Sequence, residues 1–521
     1  MKFAFINTPS QELERPPAAA AAISACAKDV GWDAKVFDFN LYLNDNLPSD
    51  TWSTVEEYWR CKRLELEPSI KAELYRHIDL FLAQIKEYQP DMIGVTVFTR
   101  MSVVCAYTII EVIRKQFDCK IVIGGQGITA WPGSVFSVDK NTNANTVADM
   151  LLELNWIDYY VIGDAEDSFR ELLKGNTDYH GINGRAFKPL ESLENLPQPD
   201  YTGIEPSRYY YTTEPGLYIT ATRGCVRSCS FCNIPEIWPK FKSRSADNVI
   251  AEIIASKKKY GVNLFHFTDS LLNGNMKIWR EINQKLIESK ERDPDLLPIK
   301  YLGQFICRTR MEQSESDWEL ISRAGADLLV VGFESNSYHV RKHMGKNYTN
   351  ADIDFHFKQS AKYGIKNVAL MFIGYPVETL EDHKQNIEFL YRYQKYAKTG
   401  IIHMVRWGYT GMFIDHEKVE SRGDVKLIID PDFKKKFNNL PHGIRDIAYG
   451  FGWINELNPT LTLTERIRRR LELHEISVNL GWPQTRSREE LQILYNIFSN
   501  LKNNNIGADD FNKLDNLLDF H

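Results

Sequence analysis

Residues 217–232 read Leu-Tyr-Ile-Thr-Ala-Thr-Arg-Gly-Cys-Val-Arg-Ser-Cys-Ser-Phe-Cys. A short apolar run, Leu217 to Ile219, leads through Gly224 into Cys225-x-x-x-Cys229-x-x-Cys232. Three thiols at spacings of three and two residues can fold around one metal centre. Thiolates select zinc, copper(I) or iron–sulfur. Zinc usually wants a fourth ligand; no nearby Cys supplies one, and His266 is only a remote candidate. A [4Fe–4S] cubane on three thiolates leaves one iron open to a small ligand, which suits a catalyst. The competing view is three buried structural cysteines. Their tight spacing on a Gly-containing loop, directly after a strand, stands against it.

The surrounding chain has 521 residues, 43% hydrophobic and 25% charged. That is ordinary for a globular protein and excludes wholesale disorder. Lys plus Arg is 63 against Asp plus Glu at 69, a net charge of -6. This argues against a protein that coats nucleic acid. Eight cysteines in 521 residues are too sparse for a disulfide-built secreted scaffold. No run approaches the roughly 18–20 apolar residues that span a bilayer, and the apolar start, Phe3 to Ile6, is too short for a signal-peptide core. The expectation is a cytoplasmic protein without a membrane partner.

Upstream of the cysteine loop, apolar runs alternate with helix-like segments. Strands are expected at 2–6, 34–39, 92–98, 120–123 and 159–162. Helices are expected at 18–29, 103–117, 146–154 and 166–174. Strands apolar on both faces, separated by helices, indicate a parallel sheet covered on both sides. Residues 44–85 are polar and helix-prone and read as an insertion. Ligands of a doubly wound sheet bind at the carboxyl ends of its strands. Those ends carry Asn7 to Pro9, Thr96 to Thr99, and the pair Gly124-Gly125. The glycines either let the backbone approach a ligand or merely turn the chain. No GxGxxG follows the first strand, so Asp38 lacks the context of a nucleotide ribose ligand.

The CxxxCxxC, with Phe231 before its last Cys, resembles the radical S-adenosylmethionine (SAM) superfamily. The resemblance extends through residues 264–273, 301–308, 328–335 and 367–376, which look like strands two to five of a partial barrel, with 402–407 as a sixth. It implies that Cys225, Cys229 and Cys232 hold a [4Fe–4S] cluster whose open iron is chelated by SAM. One-electron reduction then releases a 5′-deoxyadenosyl radical. By the same resemblance, Gly332 and Glu334 meet the SAM amino group, Arg308 or Arg310 the carboxylate, and 367–376 flanks the adenine. A sheet domain ahead of such a barrel is similar to the cobalamin-binding class, with Thr96, Thr99, Gly124 and Gly125 as candidate cobalamin contacts. The DxHxxG signature whose His ligates cobalt is absent, which argues against His ligation rather than against cobalamin. A domain that kept the fold and lost the cofactor is the other possibility.

The resulting plan is α/β throughout: a doubly wound Rossmann-like domain (1–175, with the insertion 44–85), a linker (176–215), a partial (β/α)6 TIM-type radical SAM barrel (216–410) and a mainly helical C-terminal domain (411–521). The activity it implies is cobalamin-dependent methylation of an unactivated carbon in a peptide or small molecule, in natural-product biosynthesis. Flavodoxin or ferredoxin would supply the electron. The alternative is a radical SAM enzyme without methyl transfer, such as a peptide epimerase, with Cys307 as hydrogen donor; a core thiol is the plainer reading of Cys307. No Cys follows residue 307, so no auxiliary Cys-ligated cluster fits downstream. In the last hundred residues, 461–475, 487–501 and 509–520 read as helices, with Arg468-Arg469-Arg470 as a wet helix face. Trp407, Tyr409, Trp453 and Trp482 either line a substrate cavity or simply pack.

Overall fold

The computed structural model describes residues 1–9, 13–61, 66–98, 100–129, 146–209, 214–409, 416–437, 451–483, 488–507, 509–511 and 513–514. The chain divides into two compact units, Met1–Tyr218 and Ile219–His521.

In the first unit, strands β1 (Lys2–Asn7), β2 (Asp33–Asp38), β3 (Met92–Thr96), β4 (Lys120–Gly124) and β5 (Tyr159–Val161) form one sheet in the order β2-β1-β3-β4-β5. Every pairing is parallel. All five residues of β3 are buried, as a central strand covered on both faces requires. Helices α1 (Ala18–Asp29), α2 (Phe39–Asn46), α3 (Ser49–Cys61), α4 (Pro68–Tyr88), α5 (Arg100–Gln116), α6 (Val147–Glu153) and α7 (Ala165–Leu173) connect and cover it. The insertion is no appendage. Helix α4 starts on Pro68, whose missing N–H costs nothing there, and buries Leu74, Ile78, Phe81, Leu82 and Ile85 at helical spacing. Phe81 stacks at 4.7 Å on Phe39 in the core of the sheet.

Phe39, expected to end a strand, instead opens α2. The Asp38 carboxylate accepts the Leu41 N–H at 3.0 Å and caps the helix. Asn7 Nδ2 (3.1 Å) and the Tyr209 hydroxyl (2.7 Å) complete its shell. Burial raises the pKa of Asp38 against the pull of these bonds.

At the boundary of the units, β6 (Gly216–Ile219) is followed by the short strand β7 (Thr222–Arg223), α8 (Ile234–Ile237), β8 (Lys242–Ser243) and α9 (Ala246–Tyr260). Then come β9 (Leu264–Phe267), α10 (Met276–Arg292), β10 (Lys300–Ile306), α11 (Glu315–Ala324), β11 (Ala326–Glu334), α12 (Tyr338–Met344), α13 (Asn350–Tyr363), β12 (Lys366–Ile373), α14 (Leu380–Lys398) and β13 (Ile402–Tyr409). The six main strands form one sheet in chain order, β6-β9-β10-β11-β12-β13, and the pairs from β9 to β13 are parallel. Side chains cap the helices that follow these strands: Ser245, Asn275, Thr349 and Thr379 each accept from the first turn.

Beyond β13, α15 (His416–Glu420), β14 (Leu427–Ile429), α16 (Pro431–Phe437) and β15 (Trp453–Asn455) precede the helices Leu463–Asn479 and Arg488–Lys502. The strands β14 and β15 pair antiparallel, a small sheet the sequence did not announce. The triple arginine is a correction. Arg468 is partly exposed, as a wet face requires, but Arg469 and Arg470 are each only 3% exposed. Arg469 reaches the fully buried Glu378 at 2.8 Å, and Arg466 lies 3.9 Å over the Trp453 ring. Trp482 donates to the Leu390 carbonyl at 3.1 Å, so Trp453 and Trp482 serve packing. Among the described residues no helix is long and apolar enough to cross a membrane.

Candidate metal and cofactor site

The cysteine loop is closed at its base. Thr222 pairs with Ser243 and Arg223 with Lys242, so residues 224–241 leave and return through one antiparallel ladder. Gly224 makes the exit. Its φ is +83°, and a Cβ there would lie 2.8 Å from the Lys240 carbonyl oxygen. Below the ladder, the buried Asp269 accepts the Ala221 N–H at 3.0 Å. Arg244 and Glu252, both buried, pair at 2.6 Å, while Arg244 also donates to the Thr220 carbonyl at 2.7 Å. These bonds hold the end of β6 and launch the loop from the carboxyl edge of the sheet, where barrel-type proteins place their chemistry.

Cys225, Cys229 and Cys232 are all free thiols. Burial pushes Cys229 up to about 11; Lys346 pulls it down, while Glu334, Cys232 and Cys225 push it up. Cys232 is raised by the same cause. The loop backbone is tied from outside: Ser230 N–H to the Met344 carbonyl (3.2 Å), Lys418 Nζ to the Cys232 carbonyl (2.5 Å) and Arg422 to the Ser228 carbonyl (2.5 Å).

Glu334 stands at the end of β11, next to that loop. Opposite Leu370 and Met371 of β12 lie Gly332 and Glu334, so Phe333 is an extra residue and the strand bulges. Bulges re-aim side chains at strand ends. Glu334 itself takes φ +66°, a conformation non-glycine residues rarely adopt. Its carboxylate is buried and meets Lys346 Nζ at 2.5 Å; that ammonium also donates to the Gly332 carbonyl at 3.0 Å. Gly332 leaves room for this pair: a Cβ would lie 2.4 Å from Glu334 Oε1 and 2.9 Å from Lys346 Nζ, so the pair would have to shift. Burial opposes the charge on Lys346, but Glu334 and the neighbouring thiols outweigh it and raise its pKa. Lys346 is the cation of the site, and no motif pointed to it.

Arg308 is used within the sheet edge. It donates to Glu312 (2.9 Å) and to the carbonyls of Asn273 (2.7 Å) and Gly274 (2.8 Å), while its Nε is buried without a hydrogen-bond partner. Arg310 is exposed and faces Asp352 at 3.7 Å. Cys307 lies just past β10, 1% exposed, and burial raises its thiol pKa well above the ordinary range. Asp352, Arg341 and Lys346 are its charged neighbours.

In the first unit, Thr96 ends β3, and its carbonyl accepts the Thr8 hydroxyl at 2.6 Å. That bond joins the carboxyl ends of β1 and β3, the topological switch point of a β2-β1-β3-β4-β5 sheet, where such folds bind ligands. Gly124 ends β4. Gly125 follows at φ +113°, and a Cβ there would lie 2.4 Å from the Val97 carbonyl oxygen. Close backbone approach therefore accounts for Gly125. Thr99 lies outside the described residues. The side chains of Trp407 and Tyr409 on β13 are likewise outside the description.

Residues 219–390 match the radical SAM superfamily. This stretch contains the cysteine loop, Gly332, Glu334 and Lys346. The family match is to this stretch of the chain. The chain is 24% identical over 326 residues to an uncharacterized methyltransferase of Pyrococcus horikoshii, covering 58% of this chain and 65% of that one. It is 25% identical over 216 residues to the anaerobic magnesium-protoporphyrin IX monomethyl ester cyclase of Synechocystis sp., covering 38% and 41%. The matches thus span less than two thirds of these relatives. In fold it is similar to the radical SAM methyltransferase TsrM of Kitasatospora setae, solved with cobalamin and a [4Fe–4S] cluster (TM-score 0.56, 18% identity, 78% of this chain and 74% of that one). It is also similar to the cobalamin-dependent SAM radical enzyme OxsB (TM-score 0.56, 15% identity, 96% and 66%). The order along the chain, a parallel sheet domain followed by the radical SAM match, is similar in fold to these two proteins.

The residues present suit the cluster of this superfamily in their donor chemistry: three free thiols on one closed loop, coupled to a buried cation. Among the described residues, no three His, Cys, Asp or Glu side chains close around a single ion position.

Proposed function

We propose that this protein uses a [4Fe–4S] cluster on Cys225, Cys229 and Cys232 to cleave SAM reductively, and that it directs the resulting radical chemistry to cobalamin-dependent methylation of an unactivated carbon. The carrying observation is the meeting of the cysteine loop, the re-aimed Glu334 and the buried Lys346 at one edge of the sheet. When bound, the cluster supplies the single electron that SAM cleavage needs. The chain's own parts then have distinct tasks. The closed loop presents thiolates and leaves no fourth protein ligand among its cysteines. Glu334 offers a carboxylate oxygen to the amino group of SAM while Lys346 holds that carboxylate in place. The β11 bulge turns Glu334 into position.

Cobalamin belongs at the carboxyl edge of the first unit's sheet, beside Thr96, Thr99, Gly124 and Gly125. The β1/β3 switch point supports this placement, as does the fold shared with TsrM and OxsB. Methyl transfer is favoured by the methyltransferases among the relatives, although the Synechocystis relative is a cyclase. The substrate would be a peptide or small molecule, the reductant a flavodoxin or ferredoxin, and the compartment a cytoplasm low in oxygen. A second reading, hydrogen abstraction without methyl transfer, draws on Cys307: a hydrogen donor must keep its S–H, and burial keeps this thiol protonated.

Anaerobic reconstitution with iron, sulfide and hydroxocobalamin, followed by SAM and a reductant, tests both. Methyl transfer predicts a bound corrinoid, 5′-deoxyadenosine and S-adenosylhomocysteine together. Solvent deuterium in the product, with no corrinoid bound, selects the second reading.

A further inference from the structure

Ser230 sits between two of the three cysteines, fully buried, with its hydroxyl 2.6 Å from that of Tyr375. Tyr375 is also fully buried and follows β12. Its hydroxyl lies 2.9 Å from His343 Nδ1, at the end of α12. On the other side of that ring, His343 Nε2 lies 2.7 Å from the Gly423 carbonyl, beyond α15. The direction of each bond follows. A carbonyl only accepts, so Nε2 carries the proton. Burial lowers the His343 pKa, which keeps the ring neutral and Nδ1 a bare acceptor. Tyr375 therefore donates to His343, and Ser230 donates to Tyr375. The chain has one polarity from end to end.

None of its members is a cysteine, and none belongs to the CxxxCxxC pattern apart from Ser230 at a variable position. The chain joins the cysteine loop, the turn after β12, the end of α12 and the segment after α15. The Lys418, Arg422 and Met344 contacts hold the backbone of the same loop from the same side.

We infer that Tyr375 and His343 are positioning residues for the cluster loop: their hydrogen-bond chain fixes the Cys229–Cys232 segment so that the cluster is retained. This rests on the cluster reading above. A buried hydroxyl whose partner is removed costs enough to change a rate about tenfold.

The test is anaerobic reconstitution of the full chain, followed by the rate at which a ferrous chelator strips the iron and by the electron paramagnetic resonance signal of the reduced cluster. Tyr375→Phe, His343→Leu and Ser230→Ala are expected to lose iron about tenfold faster, with a broadened signal. His343→Gln, which offers an acceptor and a donor at similar reach, is expected to restore both. Wild-type stripping rates and signals in all three variants overturn the inference. So does a His343→Gln chain as labile as His343→Leu. A wild-type chain that takes up no iron overturns the cluster reading itself and this inference with it, whereas loaded wild type beside equally stable variants overturns the inference alone.

Discussion

At the scale of the residue, the site turns on one buried ion pair. Glu334 and Lys346 are almost without solvent, at 6% and 7% side-chain exposure for the lysine and the glutamate. Such a pair adds little net stability, but breaking it strands a charge. Lys346→Met is expected to cost about 3–5 kcal/mol in unfolding free energy. The double variant Lys346→Met/Glu334→Gln should recover a large part of that loss, because no charge is then stranded; a chemical-denaturation cycle measures both. Gly332→Ala is a sharper probe. Its Cβ would fall 2.4 Å from Glu334 Oε1, with the thiols untouched. The expected outcome is normal iron uptake with SAM cleavage reduced at least tenfold, about 1.4 kcal/mol in the barrier. The cysteines and Glu334 were legible in the sequence because spacing and motif carry them. Lys346 was not, since a lysine twelve residues on, past a helix, has no pattern; only the fold returns it to Glu334. Ser230, Tyr375 and His343 were hidden for the same reason.

At the scale of the element, helix α13 and strand β12 are joined by His356, whose Nε2 donates to Asn367 Oδ1 at 2.8 Å. Burial pushes this histidine down to about 4. The folded state keeps it neutral, while the unfolded chain takes up a proton near pH 6.5. Stability from this group is therefore fully present above about pH 6.5 and declines as pH falls toward 4, by about 3 kcal/mol over the window. His356→Leu should flatten that part of the stability–pH curve, measured by unfolding at successive pH values. An unchanged slope would show that other groups carry it.

Elements also show where reading a sequence stops. The parallel strands β1, β3 and β4 are apolar on both faces, and their expected limits lie within two residues of those observed. The end of β2 was placed one residue too late because a carboxylate cap, not a break in hydrophobicity, ends it. The strands β14 and β15 have three residues each and are far apart in sequence, too short for alternation to appear. The arginines 466 and 469 are buried because Glu378, Trp453 and backbone carbonyls wait for them, which no helical pattern of charges reveals.

At the scale of the whole molecule, the proposed function gives the two compact units separate chemistry, so separate variants should affect them independently. Gly125→Ala would drive a Cβ to within 2.4 Å of the Val97 carbonyl oxygen, at a φ that side chains avoid. Its effect should stay in the first unit: corrinoid uptake falls while iron bound per chain is unchanged. Cys232→Ala should do the reverse. Visible spectra and iron analysis of the two reconstituted variants check this, and loss of both cofactors in either variant would contradict independent sites.

The central claim is that Cys225, Cys229 and Cys232 hold a cluster that cleaves SAM. Its most direct measurement is 5′-deoxyadenosine formed anaerobically by the reconstituted full chain with SAM and a strong reductant. Steady formation by the wild-type protein is expected, and none by any single Cys→Ala variant of the three. A fully iron-loaded wild-type chain that makes no 5′-deoxyadenosine, or a Cys→Ala variant that makes it at the wild-type rate, would contradict it.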